Sequence, residues 1–153
     1  MKAYSIAVAG TGYVGLVAGV CFAHVGHQVT CVDVDEAKVA RMYAGESPIY
    51  EEGLEELMRE SIDAGRVHFT TDYASAYRNA DAIFIGVGTP EQPDGSANLS
   101  YIATVARQVA ESVEKDCLVV VKSTVPVGTN DKVDQFIHDF LVHDVQVEVA
   151  SNP

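Results

Sequence analysis

The chain has 153 residues, 48% of them hydrophobic, with 22 acidic against 10 basic side chains and a formal charge of -12 at pH 7. That length supports one well-buried core and is short for two. The charge opposes a nucleic-acid partner, because binding a phosphate backbone depends on Lys and Arg to neutralise it.

Tyr4 to Ala9 reads as a short buried strand, and Gly12 to Val25, rich in small and apolar residues, suits a helix packed closely on a sheet. Gly26 ends that helix. A second strand, Gln28 to Asp33, leads through Asp35, a good N-cap, into a helix that reaches Ala44 and stops at Gly45. After a loop from Ser47 to Gly53, a polar helix runs to about Asp63, is closed by Gly65, and is followed by a third strand at Val67 to Thr70. Asp72 caps another short helix. Ala82 to Val87 and Cys117 to Lys122 are apolar runs of strand length. Between them, Leu99 to Val113 has helical spacing at Ile102, Val105, Ala106 and Val109. Thr129 or Asn130 opens a last helix through Leu141, before a sixth strand at Val145 to Val149.

Strands that alternate with helices and read as near-continuous apolar runs predict a parallel sheet covered on both faces. The expected fold is therefore α/β, a Rossmann-type doubly wound, mostly parallel six-stranded sheet in the order 3-2-1-4-5-6. Its site belongs in the crevice beyond the carboxyl ends of the strands. No apolar run reaches the roughly 18 residues that span a bilayer, and Met1-Lys2-Ala3-Tyr4 leads straight into a strand rather than a signal-peptide core. A cytoplasmic, membrane-free protein is the expectation. Cys21, Cys31 and Cys117 stand far apart in apolar stretches and read as buried free thiols, and neither they nor the five histidines have metal-ligand spacing. No metal is assigned.

Gly10-Thr11-Gly12-Tyr13-Val14-Gly15 matches GxGxxG. The match is weak by itself and gains weight from leaving a predicted strand and opening a predicted helix. Gly10 turns the chain, Gly12 lets backbone approach a pyrophosphate, and Gly15 lets helix and strand pack closely. The helix N-terminus then offers free N–H groups and a positive dipole to phosphates, against the unfavourable overall charge. Asp33, at the end of the second strand, can accept hydrogen bonds from ribose hydroxyls, which favours NAD over NADP. A 2'-phosphate about 4 Å from that carboxylate would be repelled by roughly 4 kcal/mol at an effective dielectric of about 20. Asp35 could fill the same role, but its place before Glu36-Ala37-Lys38 suits an N-cap better. Four later segments past strand ends, Thr71-Asp72, Gly86 to Pro90, Ser123 to Gly128 and Ser151-Asn152-Pro153, concentrate small polar residues at the same edge. Each alone is also an ordinary turn.

Gly12-Tyr13-Val14-Gly15-Leu16, Pro48-Ile49-Tyr50-Glu51, Gly53-Leu54, Gly88-Thr89-Pro90, Asp94-Gly95-Ser96 and Lys122 to Thr129 together resemble the successive N-terminal motifs of UDP-glucose 6-dehydrogenases, in the UDP-glucose/GDP-mannose dehydrogenase family. The likeness covers essentially the whole chain. It implies that Tyr13 and Val14 present amides to the pyrophosphate, that Asp33 and Lys38 hold the adenosine ribose, and that Thr89 and Thr124 lie along the nicotinamide side. Thr124 is implied to help position water near the reacting centre. Read without the resemblance, Lys38 is a solvated helix residue and Thr124 a strand-end threonine.

Residues 1–153 would then be the NAD-binding domain, with a linking helix and a sugar-nucleotide domain lying beyond Ser151-Asn152-Pro153, where family members continue into Glu-Phe-Leu. The family's catalytic cysteine and lysine belong to that further part, so no catalytic residue is assigned in this chain and the fragment alone is expected to be inactive. The implied full-length protein is a homo-oligomer that oxidises UDP-glucose to UDP-glucuronate with two NAD, within nucleotide-sugar metabolism and polysaccharide biosynthesis. GDP-mannose or a UDP-N-acetyl sugar is the rival substrate, and a non-catalytic NAD-sensing module the rival function. One departure is Glu52, which stands where the family usually has proline in Glu-Pro-Gly-Leu and so changes the loop.

Overall fold

The apolar runs become six short strands with helices between them, in a computed structural model that describes residues 1–153. In chain order these are β1 (Ser5–Ala9), α1 (Tyr13–His24), β2 (Gln28–Val32), α2 (Glu36–Tyr43), α3 (Leu54–Asp63), β3 (Val67–Thr70), α4 (Tyr73–Arg78), β4 (Ala82–Ile85), α5 (Ser100–Ser112), β5 (Cys117–Val121), α6 (Thr129–Phe140) and β6 (Val147–Ser151). The sheet order is β3-β2-β1-β4-β5-β6, as expected for a doubly wound fold. Every one of its five pairings is parallel.

Because successive side chains of a strand point to opposite faces, each central strand feeds two cores. Ile6 and Val8 of β1 join Val29, Cys31, Val67 and Phe69 under α1, α2 and α3, with Leu16, Val20, Met42 and Met58 as the helical contribution. Ala7 and Ala9 join Ile83, Ile85, Val119 and Val121 on the other face, under α4, α5 and α6. Ile102, Val105, Ala106 and Val109, the periodic residues of α5, are all buried there. Each buried Val, Leu, Ile or Met side chain stabilises the fold by about 1.5–3 kcal/mol relative to exposure.

Several boundaries move. The sixth strand begins two residues later than its Val145–Val149 pattern suggests and continues to Ser151. Val145, Val147 and Val149 alternate and permit either start, and pairing with β5 decides. Cys117 stands opposite Val147, the Gln146 amide donates to Asp116 Oδ1 at 2.8 Å, and the Cys117 amide donates to the Gln146 carbonyl at 3.0 Å. Helix α6 opens at Thr129, behind Gly128 in the left-handed region.

The reading of all three cysteines as buried is corrected for Cys21, which is exposed, whereas Cys31 and Cys117 are buried. Helix α1 faces the sheet with Gly15, Leu16, Gly19, Val20 and Ala23, and Cys21 lies on the other side. The helix is apolar nearly all round, so its hydropathy does not reveal its orientation. No helix is long and apolar enough to cross a membrane.

Candidate functional site

The carboxyl ends of β1, β2 and β4 meet at the glycine loop. The Gly10 amide donates to the Val32 carbonyl at 2.9 Å, carrying the β1–β2 ladder one residue past the strands. Gly10 then turns with φ +97, where a side chain is strained, and a Cβ there would also stand 2.9 Å from the Gly86 carbonyl oxygen. A Cβ on Gly86 would lie 3.1 Å from the Gly15 Cα. Three backbones are thus in contact, which brings the first turn of α1 against the ends of β1 and β4.

This packing leaves donors free. The amides of Gly12, Tyr13, Val14 and Gly15 have no hydrogen-bond acceptor within the chain, and the first satisfied amide of α1 is Leu16, which donates to Gly12. No acidic residue occupies the first turn. Gly12 is the N-cap in extended conformation, and nothing lies within 4 Å of where its Cβ would be. The loop therefore presents unpaired N–H groups and the positive end of a helix to an open space, as an anionic diphosphate requires.

Asp33, just beyond β2, faces this loop. Its Oδ2 accepts from the Thr11 amide at 3.2 Å, from the Thr11 hydroxyl, and from Lys38 Nζ at 3.2 Å. Its Oδ1 accepts from the Asp35 amide at 3.0 Å. Burial pushes the Asp33 carboxyl upward, but the Thr11 hydroxyl, the Asp35 amide and the Lys38 charge together outweigh it and hold the group below the usual aspartate value. Asp35 instead accepts from the Lys38 amide at 3.1 Å and caps α2, as its position suggests. Lys38 is half-buried in an ion pair rather than free in solvent.

A cleft of about 330 Å³ joins Gly10, Gly12, Asp33 and Lys38, a volume in the range of small-ligand sites. Its far wall is Gly86, from the segment after β4 that already stands out in the sequence, together with Tyr101, Thr104 and Gln108 from α5, which do not. Those three α5 residues are spaced at i, i+3 and i+7, a second face beside the core face, so the signal was present in the periodicity. Thr11, the residue between the first two glycines, stands at a variable position of the motif and carries no signal there, yet it is fully buried. Gly15 packs beneath the loop, while Tyr13 and Val14 are exposed on its outer side. The Tyr13 phenol donates to Glu51 Oε2 at 2.8 Å, and that bond, with the charge of Glu51, raises the phenol's pKa.

Thr89 and Thr124 lie on neighbouring loops after β4 and β5 and are tied to each other. Thr89 Oγ1 donates to the Thr124 carbonyl at 3.1 Å, and Ser123 Oγ donates to the Val87 carbonyl at 2.7 Å. These two bonds clasp the loops at the edge of the sheet. The Thr124 side chain itself is exposed.

Residues 4–153 match the model of the UDP-glucose/GDP-mannose dehydrogenase family, NAD binding domain. A UDP-glucose 6-dehydrogenase of Bacillus subtilis is 52% identical over 149 residues, covering 97% of this chain and 34% of the relative. One from Pseudomonas aeruginosa is 48% identical over 151 residues, covering 97% and 33%. Among solved structures, a UDP-glucose dehydrogenase from the hyperthermophilic archaeon Pyrobaculum islandicum superposes with a TM-score of 0.94 at 43% identity, over 99% of this chain and 36% of that one. A GDP-mannose dehydrogenase from Pseudomonas aeruginosa gives 0.88 at 37% identity, over 97% and 36%. The chain spans about a third of the length of the curated relatives it matches.

Proposed function

Because the chain belongs to the UDP-glucose/GDP-mannose dehydrogenase family as its NAD-binding domain, we propose that it is the cofactor half of a longer oxidoreductase that converts UDP-glucose to UDP-glucuronate. Bound NAD supplies a hydride acceptor, used twice in that four-electron oxidation. The residues of this chain bind and orient it. The free amides of Gly12, Tyr13 and Val14 take the pyrophosphate, with Gly10 and Gly15 shaping the loop. Asp33 accepts from the adenosine ribose, and Lys38 holds Asp33 and the ribose in place. Thr89 and Thr124 line the nicotinamide side, where the Thr124 hydroxyl helps to position water. The sugar nucleotide and the reacting cysteine belong to a linking helix and second domain, and this chain alone does not turn over substrate. The whole protein is a cytoplasmic homo-oligomer whose product feeds polysaccharide biosynthesis.

The observation that carries this reading is the Asp33 carboxylate held against a glycine loop with four unpaired amides, a donor and acceptor set that fits a diphosphate flanked by a ribose diol. The choice of UDP-glucose rests on the two UDP-glucose 6-dehydrogenases that are 52% and 48% identical to this chain. The test is to express the complete gene product, supply NAD with UDP-glucose, GDP-mannose or a UDP-N-acetyl sugar, and follow absorbance of the reduced cofactor. Two NAD reduced per UDP-glucose is the expected result. Preference for either rival sugar would reassign the substrate, and cofactor binding with no turnover on any of them would favour a sensing module.

A further inference from the structure

Thr11 occupies the first variable position of GxGxxG, a place for which backbone conformation alone sets no need for a hydroxyl. Yet its side chain is fully buried and spent on one acceptor, Asp33 Oδ2, which also takes the Thr11 amide at 3.2 Å. The Lys38 ammonium completes three donors on that single oxygen. Oδ1 has one donor, the Asp35 amide at 3.0 Å. A carboxylate oxygen has about two lone-pair sites, so the unfilled acceptor capacity of Asp33 lies on Oδ1. The aspartate side chain is thereby locked by bonds from both the glycine loop and the start of α2.

We propose that Thr11 is a positioning residue for the cofactor's ribose: its hydroxyl fixes the rotamer and the charge of Asp33, and through Asp33 it sets the preference for a free ribose diol over a 2'-phosphate. This rests on the reading of Asp33 as the ribose acceptor given above. Without the hydroxyl, Asp33 Oδ2 loses the shortest of its three donors and keeps the Thr11 amide and Lys38, each at 3.2 Å, so the carboxylate is held less firmly and its anion is less stabilised. A loose or protonated Asp33 accepts poorly from a diol and repels a 2'-phosphate less, so both halves of the discrimination weaken together.

The test uses the 153-residue chain, with calorimetric titration of NAD and of NADP from pH 3.5 to 8 on wild type, Thr11→Val and Thr11→Ser, and circular dichroism to check folding at each pH. Valine keeps the shape and the amide and removes the hydroxyl; serine restores it. In Thr11→Val, NAD should bind about tenfold more weakly near neutral pH. The acid limb of NAD binding should move to higher pH, because an anion that has lost a donor protonates more readily, and the NAD:NADP ratio should fall. Thr11→Ser should keep the wild-type limb and ratio. A Thr11→Val variant whose acid limb and cofactor ratio match wild type would overturn the proposal, as would a loss of affinity equal for both cofactors and independent of pH, which marks a merely structural role. Should valine prevent folding, carboxyl-carbon resonance titration of Asp33 in the wild-type and Thr11→Ser chains decides the matter. Titration below the ordinary aspartate value in both supports the lock, and an ordinary value in either overturns it. If the wild-type chain binds no NAD at all, the fault lies with the ribose reading and not with Thr11.

Discussion

A Cβ on Gly15 would stand 2.0 Å from the carbonyl oxygen of Gly10, whereas a Cβ on Gly12, three residues earlier, would meet nothing within 4 Å. Two glycines of one motif therefore answer to different demands. Gly15→Ala should destabilise the fold by about 3 kcal/mol or more, since backbone rather than a flexible side chain must move. Gly12→Val should fold normally and lose NAD binding, because only an incoming ligand competes for that space. Thermal melts with parallel calorimetry separate the two; a Gly12→Val protein that folds and still binds NAD would place the dinucleotide elsewhere.

Asp33→Ala should weaken NAD by roughly 1.5–3 kcal/mol, the usual worth of hydrogen bonds to a charged group. NADP should lose less, or gain, because the repulsion of its 2'-phosphate goes with the carboxylate. Equal losses for both cofactors would remove Asp33 from the ribose site.

The three thiols should divide by burial. Burial pushes the Cys31 thiol up to about 12, and burial with the nearby charge of Asp116 pushes Cys117 up to about 11, so both resist alkylation at neutral pH. Cys21 is exposed on the outer face of α1. Native alkylation followed by mass spectrometry should give a single adduct, at Cys21, with NAD affinity unchanged. The same chain mixed with NAD and UDP-glucose should give no reduced cofactor before or after alkylation. Turnover lost on alkylation would mean that the chain holds its own catalytic thiol.

At the opposite end of the sheet, Asp81 Oδ1 accepts from Lys115 Nζ at 2.6 Å and its Oδ2 from the Ser5 amide at 2.7 Å. The Lys115 bond first, then the Ser5 amide, hold its carboxyl below the usual aspartate value. A lowered folded-state pKa means stability that is present above the unfolded value of 3.8 and disappears as pH falls through the folded one. With its side chain 35% exposed, the pair's contribution is discounted to roughly 0.5–1 kcal/mol. Asp81→Asn should be less stable than wild type by that amount at pH 7, with the gap closing below pH 3.8. A gap that does not change with pH would assign the effect to shape rather than charge.

The order of elements and the glycine loop were legible in the sequence because each rests on local signals: apolar runs of strand length, Asp35 and Asp72 as caps, and Gly26, Gly45 and Gly65 as stops; the strand order followed from their alternation, through the doubly wound class that it implies. Those signals act over a few residues, so a linear reading recovers them. Three features depended on contacts between segments far apart in the chain. The start of β6 was decided by Asp116 and the register against β5, because Val145, Val147 and Val149 alternate equally well from either start. The facing of Cys21 was decided by which side of α1 meets the sheet, since a helix apolar all round carries no phase. The lock on Asp33 was decided by the turn at Gly10, which brings Thr11 across 22 positions of sequence to a carboxylate at the end of the next strand. Hydropathy and spacing report what each residue prefers; which partner it meets is set only when the sheet closes, because a hydrogen bond or a buried face belongs to two segments at once.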